Sequence, residues 1–268
     1  MRVRVGAVQQ NSQEDVRANL ERTGELVARA VGQGARLVLL PENFAFMGDE
    51  EGKREIAEEL AGGGRIVTAL RELAVRHAVA LVAGGLPERS ADPARPFNTA
   101  VAFDATGALV ARYRKIHLFD VDAGDGVRYR ESAATSAGSE PVVAELVGLR
   151  VGLSVCYDLR FPELYRRLVD AEADLLTVPA AFTMVTGKDH WHVLLRARAI
   201  ESQAYLLAAA QWGRHGPRQT YGKSCLVDGW GDVVAQASEG EGVVTGEVDL
   251  AYLADVRRRL PCLRHRRL

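Results

Sequence analysis

The chain is poor in the residues that staple a small protein or mark a special class. Its 268 residues include only three cysteines, three methionines, three tryptophans and nine prolines, and aromatics make up 6%. Cys156, Cys225 and Cys262 are an odd number at wide spacing, which argues against a disulfide framework and predicts a reducing, cytoplasmic setting. Long apolar runs are missing too. The longest stretch free of Asp, Glu, Lys and Arg is Leu175 to Gly187, 13 residues broken by Pro179. A bilayer needs about 18 or more, so no membrane association is expected. The start, Met1-Arg2-Val3-Arg4-Val5, alternates at once and shows no cationic segment followed by an apolar one, so no signal peptide is predicted. Excess charge of one sign is also lacking. Net charge is −1, yet six arginines and no acid fall in the last twelve residues, so the rest of the chain carries −7. One basic tail on an acidic body is not the broad basic surface of a nucleic-acid binder, and no such partner is expected.

What is present is an ordinary globular balance, with 47% hydrophobic and 26% charged residues. A chain of this length buries a large core without staples. Disorder, collagen-like repeats and small secreted scaffolds are thereby excluded. About 150 residues per domain would allow one or two domains. No linker or break in composition appears, so one domain over 1–268 is expected.

Strand-like and helix-like segments alternate along the chain. Residues 2–9 alternate and then become apolar, as a strand does. Asn11 or Ser12 is positioned to cap a helix over 14–32, where Val16, Leu20, Val27 and Val31 recur at helical spacing. The near-continuous apolar run 36–40 reads as a strand buried on both faces. A helix over 63–77, a strand over 79–84 and a hairpin of 97–104 with 109–114 follow. Residues 115–140, with Gly124 and Gly126, have no period and read as a long loop, a length that suggests function. Further strands are expected over 149–155, 174–178, 205–210, 224–228, 233–238 and 243–249. Helices are expected from Pro162, over 188–203 and from Leu250. Many short strands with helices between them indicate a sheet-rich α/β sandwich.

Three residues stand at strand ends, where α/β folds place their sites. Cys156 closes the strand 149–155. A thiol there can be exposed at a turn and have its pKa lowered by neighbouring N–H groups, but a lone cysteine is more often a buried structural thiol. Glu42 follows Leu39-Leu40-Pro41 at the end of a hydrophobic strand. Such a carboxylate suits a general base, or is an ordinary strand-end acid. Lys115 follows the strand 109–114 and could face a developing oxyanion, or be one more surface cation. The histidines lack metal-ligand spacing. No GxGxxG, P-loop or G-x-S-x-G motif occurs, so neither a nucleotide cofactor nor a serine hydrolase of that type is supported.

Taken together, these positions carry a resemblance. Leu39-Leu40-Pro41-Glu42, then Tyr113-Arg114-Lys115-Ile116-His117-Leu118-Phe119-Asp120, then Cys156-Tyr157-Asp158-Leu159-Arg160-Phe161-Pro162-Glu163-Leu164 resemble, in order and spacing, the motifs of the carbon–nitrogen hydrolase (nitrilase) superfamily. The resemblance covers essentially the whole chain. It implies a four-layer αββα sandwich of the nitrilase type, a Glu-Lys-Cys triad and a homodimer or larger homo-oligomer. By that resemblance Cys156 is the nucleophile, Glu42 the general base, and Lys115 with the Tyr157 backbone N–H the oxyanion site. Glu131, in Tyr129-Arg130-Glu131-Ser132, is the family's second glutamate. No metal or organic cofactor is implied. The segments around Ala180-Ala181-Phe182, residues 190–201 and Gln211-Trp212-Gly213-Arg214-His215 resemble the Nit branch, and the tail 258–267 does too, which gives it a structural role. This implies a cysteine-dependent amidase for the ω-amide of a small 2-oxo acid, deaminated glutathione first. The alternatives are α-ketoglutaramate or another amidase or N-carbamoyl hydrolase of the superfamily. Phe182, Thr183 and Trp191 fall in pocket-lining segments of the family, with core packing as the equal alternative.

Overall fold

The computed structural model describes residues 1–122 and 128–267. Gly124 and Gly126 of the expected loop lie outside the described residues. In chain order the elements are β1 (Arg2–Gln9), α1 (Val16–Gly32), β2 (Leu37–Leu40), α2 (Glu50–Glu55), α3 (Arg65–His77), β3 (Ala80–Glu88), β4 (Phe97–Phe103) and β5 (Leu109–Arg114). They continue with β6 (Val142–Leu146), β7 (Leu149–Leu153), α4 (Pro162–Asp170), β8 (Leu175–Ala180), α5 (Met184–Ser202) and β9 (Tyr205–Ala210). The chain finishes with β10 (Trp212–His215), β11 (Arg218–Tyr221), β12 (Cys225–Val227), β13 (Val233–Gln236), β14 (Gly242–Asp249) and α6 (Leu250–Arg259). Short 3₁₀ turns occupy Glu131–Ala133, Cys156–Arg160 and Cys262–His265.

Two six-stranded sheets result, ordered β14-β1-β2-β3-β4-β5 and β13-β12-β9-β8-β7-β6. The centre of each is parallel, β1-β2-β3 in one and β7-β8-β9 in the other, with antiparallel strands outside. The sheets pack face to face, β1 and β2 against β9 and β3 against β8. Helices α1 and α3 cover the outer face of the first sheet, α4 and α5 that of the second, so the layers run α-β-β-α. Strand β2 shows why its sequence is apolar throughout. Leu37 and Leu39 join the core between the sheets, while Val38 and Leu40 join the core under α1 and α3.

Several boundaries differ from the sequence expectation. Asp15, not Asn11 or Ser12, caps α1, accepting from the Arg17 and Ala18 N–H groups at 2.8 and 3.1 Å. Ser12 turns inward and donates to the Phe44 carbonyl. Helix α5 begins four residues earlier than expected, because Thr183 caps it. The hairpin β10–β11, strand β6 and helix α2 were not legible, being short and without clean periodicity.

The basic tail is strapped to the body. Arg257 donates to the Gln203 and Ala173 carbonyls and faces Asp174, while Arg266 pairs with Asp170 at 2.6 Å. The local charge imbalance is thus partly neutralised by the body's own acids. Among the described residues, no helix is long and apolar enough to cross a membrane.

Candidate active site

Three of the site residues stand just beyond a strand. Glu42 follows β2, Lys115 follows β5, and Cys156 follows β7. Because the sheets face each other, these strand ends converge on one cavity of about 300 Å³, lined by Glu42, Lys115, Glu131, Cys156, Tyr157 and neighbours. The expected site residues are therefore brought together, although they span positions 42 to 156.

Two glycines permit that approach. In β3, Gly84 lies against the Pro179 ring, and a Cβ there would overlap it. Gly85 follows at φ +73, within a register shift of the β3–β4 pair, and a Cβ would come within 2.6 Å of the Glu42 Cγ. The Glu42 main chain is held by Gln211, whose Nε2 donates to its carbonyl at 3.0 Å.

The centre is a compact charged ring. Lys115 Nζ donates to Glu42 Oε1 at 3.1 Å and to Glu131 Oε1 and Oε2 at 3.1 and 2.8 Å. Asn98 Nδ2 donates to the same two Oε1 atoms, at 3.0 Å to Glu42 and 3.1 Å to Glu131. Ala181 N–H closes Glu42 Oε2 at 3.1 Å, and Phe119 N–H closes Glu131 Oε2 at 2.7 Å. The Lys115 side chain is only 2% exposed. Burial pulls its pKa down, but the charges of Glu131 and Glu42 outweigh it and hold the ammonium well above its ordinary range. For Glu131 burial pushes up, and Lys115 together with the Phe119 N–H pulls it below the ordinary carboxylate range.

Cys156 heads its 3₁₀ turn at φ +49, a left-handed conformation that costs a non-glycine residue roughly 1–3 kcal/mol. Cys156 lines the same cavity as the ring. The sequence expectation of a lowered thiol pKa is overturned. Burial, and next the Glu42 charge, push the thiol well above its ordinary value, against a smaller opposing pull from Lys115. At rest the sulfur is therefore a thiol, and a base must take its proton. The Asp158 N–H of this turn is used by the Val155 carbonyl at 3.1 Å, which leaves the Tyr157 N–H as the one following the sulfur.

Asp158 stabilises the strained turn. It is fully buried and accepts from Val155 N–H at 2.8 Å, Tyr113 Oη at 2.7 Å, His117 N–H at 3.1 Å and His117 Nδ1 at 2.7 Å. The His117 ring stacks on Phe161 at 3.7 Å. Asp158→Asn turns an amide donor toward groups that are all donors. Stability should fall by about 2–4 kcal/mol in denaturant unfolding, and turnover should fall with it. Unchanged stability and turnover would refute this role.

Sequence reasoning missed Asn98 and the task of Asp158. Nothing in Phe97-Asn98-Thr99 distinguishes a strand asparagine that bridges two carboxylates. Asp158 lies inside a recognised motif, but its partners Tyr113 and His117 come from 45 and 41 residues away. Phe182 and Thr183 do line the cavity, whereas Trp191 is core, donating its indole N–H to the Lys223 carbonyl.

Comparison with known proteins gives the family. The family model described as carbon-nitrogen hydrolase matches residues 4–258. A deaminated glutathione amidase from Synechocystis sp. is 46% identical over 264 residues, covering 97% of this chain and 96% of that protein. The crystal structure of the C. elegans NitFhit protein superposes with a TM-score of 0.92 at 41% identity over 99% of this chain, which spans 65% of the NitFhit chain. A mutant amidase from Nesterenkonia sp. AN1, in a structure showing Michael addition of acrylamide at its active-site cysteine, matches with a TM-score of 0.81 at 29% identity, covering 96% of this chain and 98% of that one. The chain belongs to the carbon–nitrogen hydrolase family and is an amide-hydrolysing enzyme.

Proposed function

We propose that the chain, acting as one domain, is a cysteine amidase for the ω-amide of a small 2-oxo acid, with deaminated glutathione as the first substrate. The observation that carries the reading is the meeting of one buried thiol, two carboxylates and one ammonium at the end of a cationic cavity. Six cationic side chains line that cavity against three carboxylates, Glu42, Glu50 and Glu131. An anionic amide is the substrate such a lining suits. The substrate in the name of the Synechocystis relative fits that charge.

The roles follow from the residue types. Glu42 takes the thiol proton as the sulfur attacks the amide carbon, and the C–N bond breaks as Glu42 returns the proton to the leaving nitrogen. The acyl group stays on sulfur as a thioester. Water, deprotonated by Glu42, then releases the acid and restores the thiol. Lys115 begins with its donors turned to Glu42 and Glu131. Once Glu42 is protonated its claim on Lys115 weakens, and a donor becomes free for the oxyanion beside the Tyr157 N–H. Glu131 keeps the ammonium in place throughout. Arg160, four residues after the nucleophile, lines the cavity with its guanidinium 5.3 Å above the Phe182 ring and suits the 2-oxo carboxylate of the acyl chain. Exposed Val193, Ile200 and Trp230 are consistent with a homodimer. A cytoplasmic setting fits the three free cysteines.

Amine or ammonia release from a panel of ω-amides of 2-oxo acids tests the reading. Deaminated glutathione should exceed α-ketoglutaramate in kcat/KM by about tenfold or more. The reverse order would reassign the substrate, and carbon dioxide released along with ammonia from N-carbamoyl compounds would reassign the reaction.

A further inference from the structure

The charged ring holds one neutral side chain. Asn98 stands in β4, paired with Pro87 of β3, and its carbonyl accepts the Lys115 N–H at 2.8 Å. Its backbone therefore fixes where the lysine begins. Its side chain faces the two glutamates and donates from Nδ2 to Oε1 of each, at 3.0 Å to Glu42 and 3.1 Å to Glu131. Both amide donors are thus spent. Its Oδ1 is buried and has no hydrogen-bond partner among the described residues. A buried acceptor left unpaired costs free energy, so the amide is kept here for its donors. With the donors taken and the oxygen enclosed, Asn98 has no polar atom left for a substrate.

Glu42 and Glu131 are consequently joined twice, by the ammonium of Lys115 and by the amide of Asn98. The two bridges respond differently to proton transfer. The pull of an ammonium on a carboxylate is largely Coulombic and falls when the carboxylate gains a proton, whereas a neutral N–H loses less. In the proposed cycle Lys115 turns to the oxyanion once Glu42 is protonated. Two neutral donors then still hold Glu42, Asn98 Nδ2 on Oε1 and the Ala181 N–H on Oε2. The carboxyl has to stay within reach of the leaving nitrogen and afterwards of water, and small misplacements of a reacting group are costly in rate. The other titratable groups at the pair are the Cys156 thiol, which bonds Glu42, and Lys53 of α2, which attracts Glu131 and is itself paired with Glu50 at 2.9 Å.

We propose, on the reading of Glu42 as the general base, that Asn98 is a positioning residue that holds Glu42 in one orientation against Glu131 while Glu42 carries the proton from the sulfur to the leaving nitrogen. Each N–H donated to a carboxylate also favours its charged form. Loss of the amide should therefore slow the proton transfers and shift their dependence on pH, without weakening substrate binding.

Two variants of the full chain test it. Asn98→Leu has similar size and no donors, and Asn98→Asp keeps the shape but adds a third carboxylate. With deaminated glutathione, kcat should fall about 10- to 100-fold, the worth of a hydrogen bond to a charged group, while KM stays within about threefold. The acid limb of the kcat/KM profile should move upward by about one pH unit, further in Asn98→Asp than in Asn98→Leu. A residue that only supported the fold would lower the amplitude and leave the limb in place. Alkylation of Cys156 by iodoacetamide, followed against pH, reads removal of the thiol proton without any substrate, and its acid limb should move in the same direction. Denaturant unfolding identifies the folded variants, and Asn98→Leu carries the test where three clustered carboxylates prevent Asn98→Asp from folding. An unmoved limb in folded Asn98→Leu, or a loss carried by KM, overturns the role of Asn98 and leaves the amidase reading in place. No hydrolysis of any ω-amide of a 2-oxo acid by the wild type overturns the amidase reading, and the alkylation profile then decides the role of Asn98 by itself.

Discussion

Replacing Cys156 by alanine should lower kcat by about 10⁴- to 10⁶-fold, because no other group at the site can form the acyl intermediate. Cys225 is fully buried within β12, its thiol pushed up to about 12 by burial, and Cys262 is exposed in the tail far along the chain. Stability should change by no more than about 1 kcal/mol, since alanine meets the same left-handed strain as cysteine and loses one sulfur. Loss of turnover together with an unchanged unfolding curve is the expected pair. Residual activity above about a hundredth of wild type would reject Cys156 as nucleophile. Alkylation offers an independent check. The modification that abolishes activity should map to Cys156, and one that maps only to Cys262 should leave turnover intact.

Lys115→Met should have the largest combined effect. It removes the only ammonium in contact with Glu42 and Glu131 among the described residues and leaves two carboxylates side by side. Breaking a buried pair in this way costs about 3–5 kcal/mol of stability, and the oxyanion loses a donor worth about 10²- to 10³-fold in rate. The pH dependence of stability should change sign in the acidic range. In the wild type Glu131 is held below its ordinary value of 4.5, so its contribution is present above that pH and is lost as pH falls through the lower folded value. Lys115 is held above its ordinary 10.5, so its contribution is complete below that pH and is lost as pH rises through the higher folded value. Without Lys115, the largest opposing pull on Glu131 is gone, and burial outweighs the smaller pulls of Lys53 and the Phe119 N–H and raises it. The variant should then lose stability as pH rises through the carboxylate range, where the wild type gains it. Chemical denaturation from pH 3 to pH 7 distinguishes the two. Parallel curves would show that Lys115 does not set the charge balance of the ring.

The order of strands and helices could be read from periodicity, and β2 and β8 could be read as buried on both faces because their apolar runs have no polar alternation. The four catalytic candidates were legible for a related reason: each follows a strong strand or sits in a recognisable motif. Local sequence alone determined, then, an α/β sandwich with a thiol, a lysine and a carboxylate at its strand ends; the family resemblance singled those three out and added Glu131 in the loop. What it could not determine is anything set by separation in space. Asn98 shares its two hydrogen bonds between glutamates 56 and 33 residues away, and Arg218 reaches the cavity wall only because the hairpin carries it there. The state of the thiol belongs in the same class. A turn after a strand predicts a lowered pKa, but the packing of the two sheets buries the sulfur beside Glu42 and reverses the sign. Burial and neighbouring charge are sums over residues distant in the chain, and only the tertiary structure decides them.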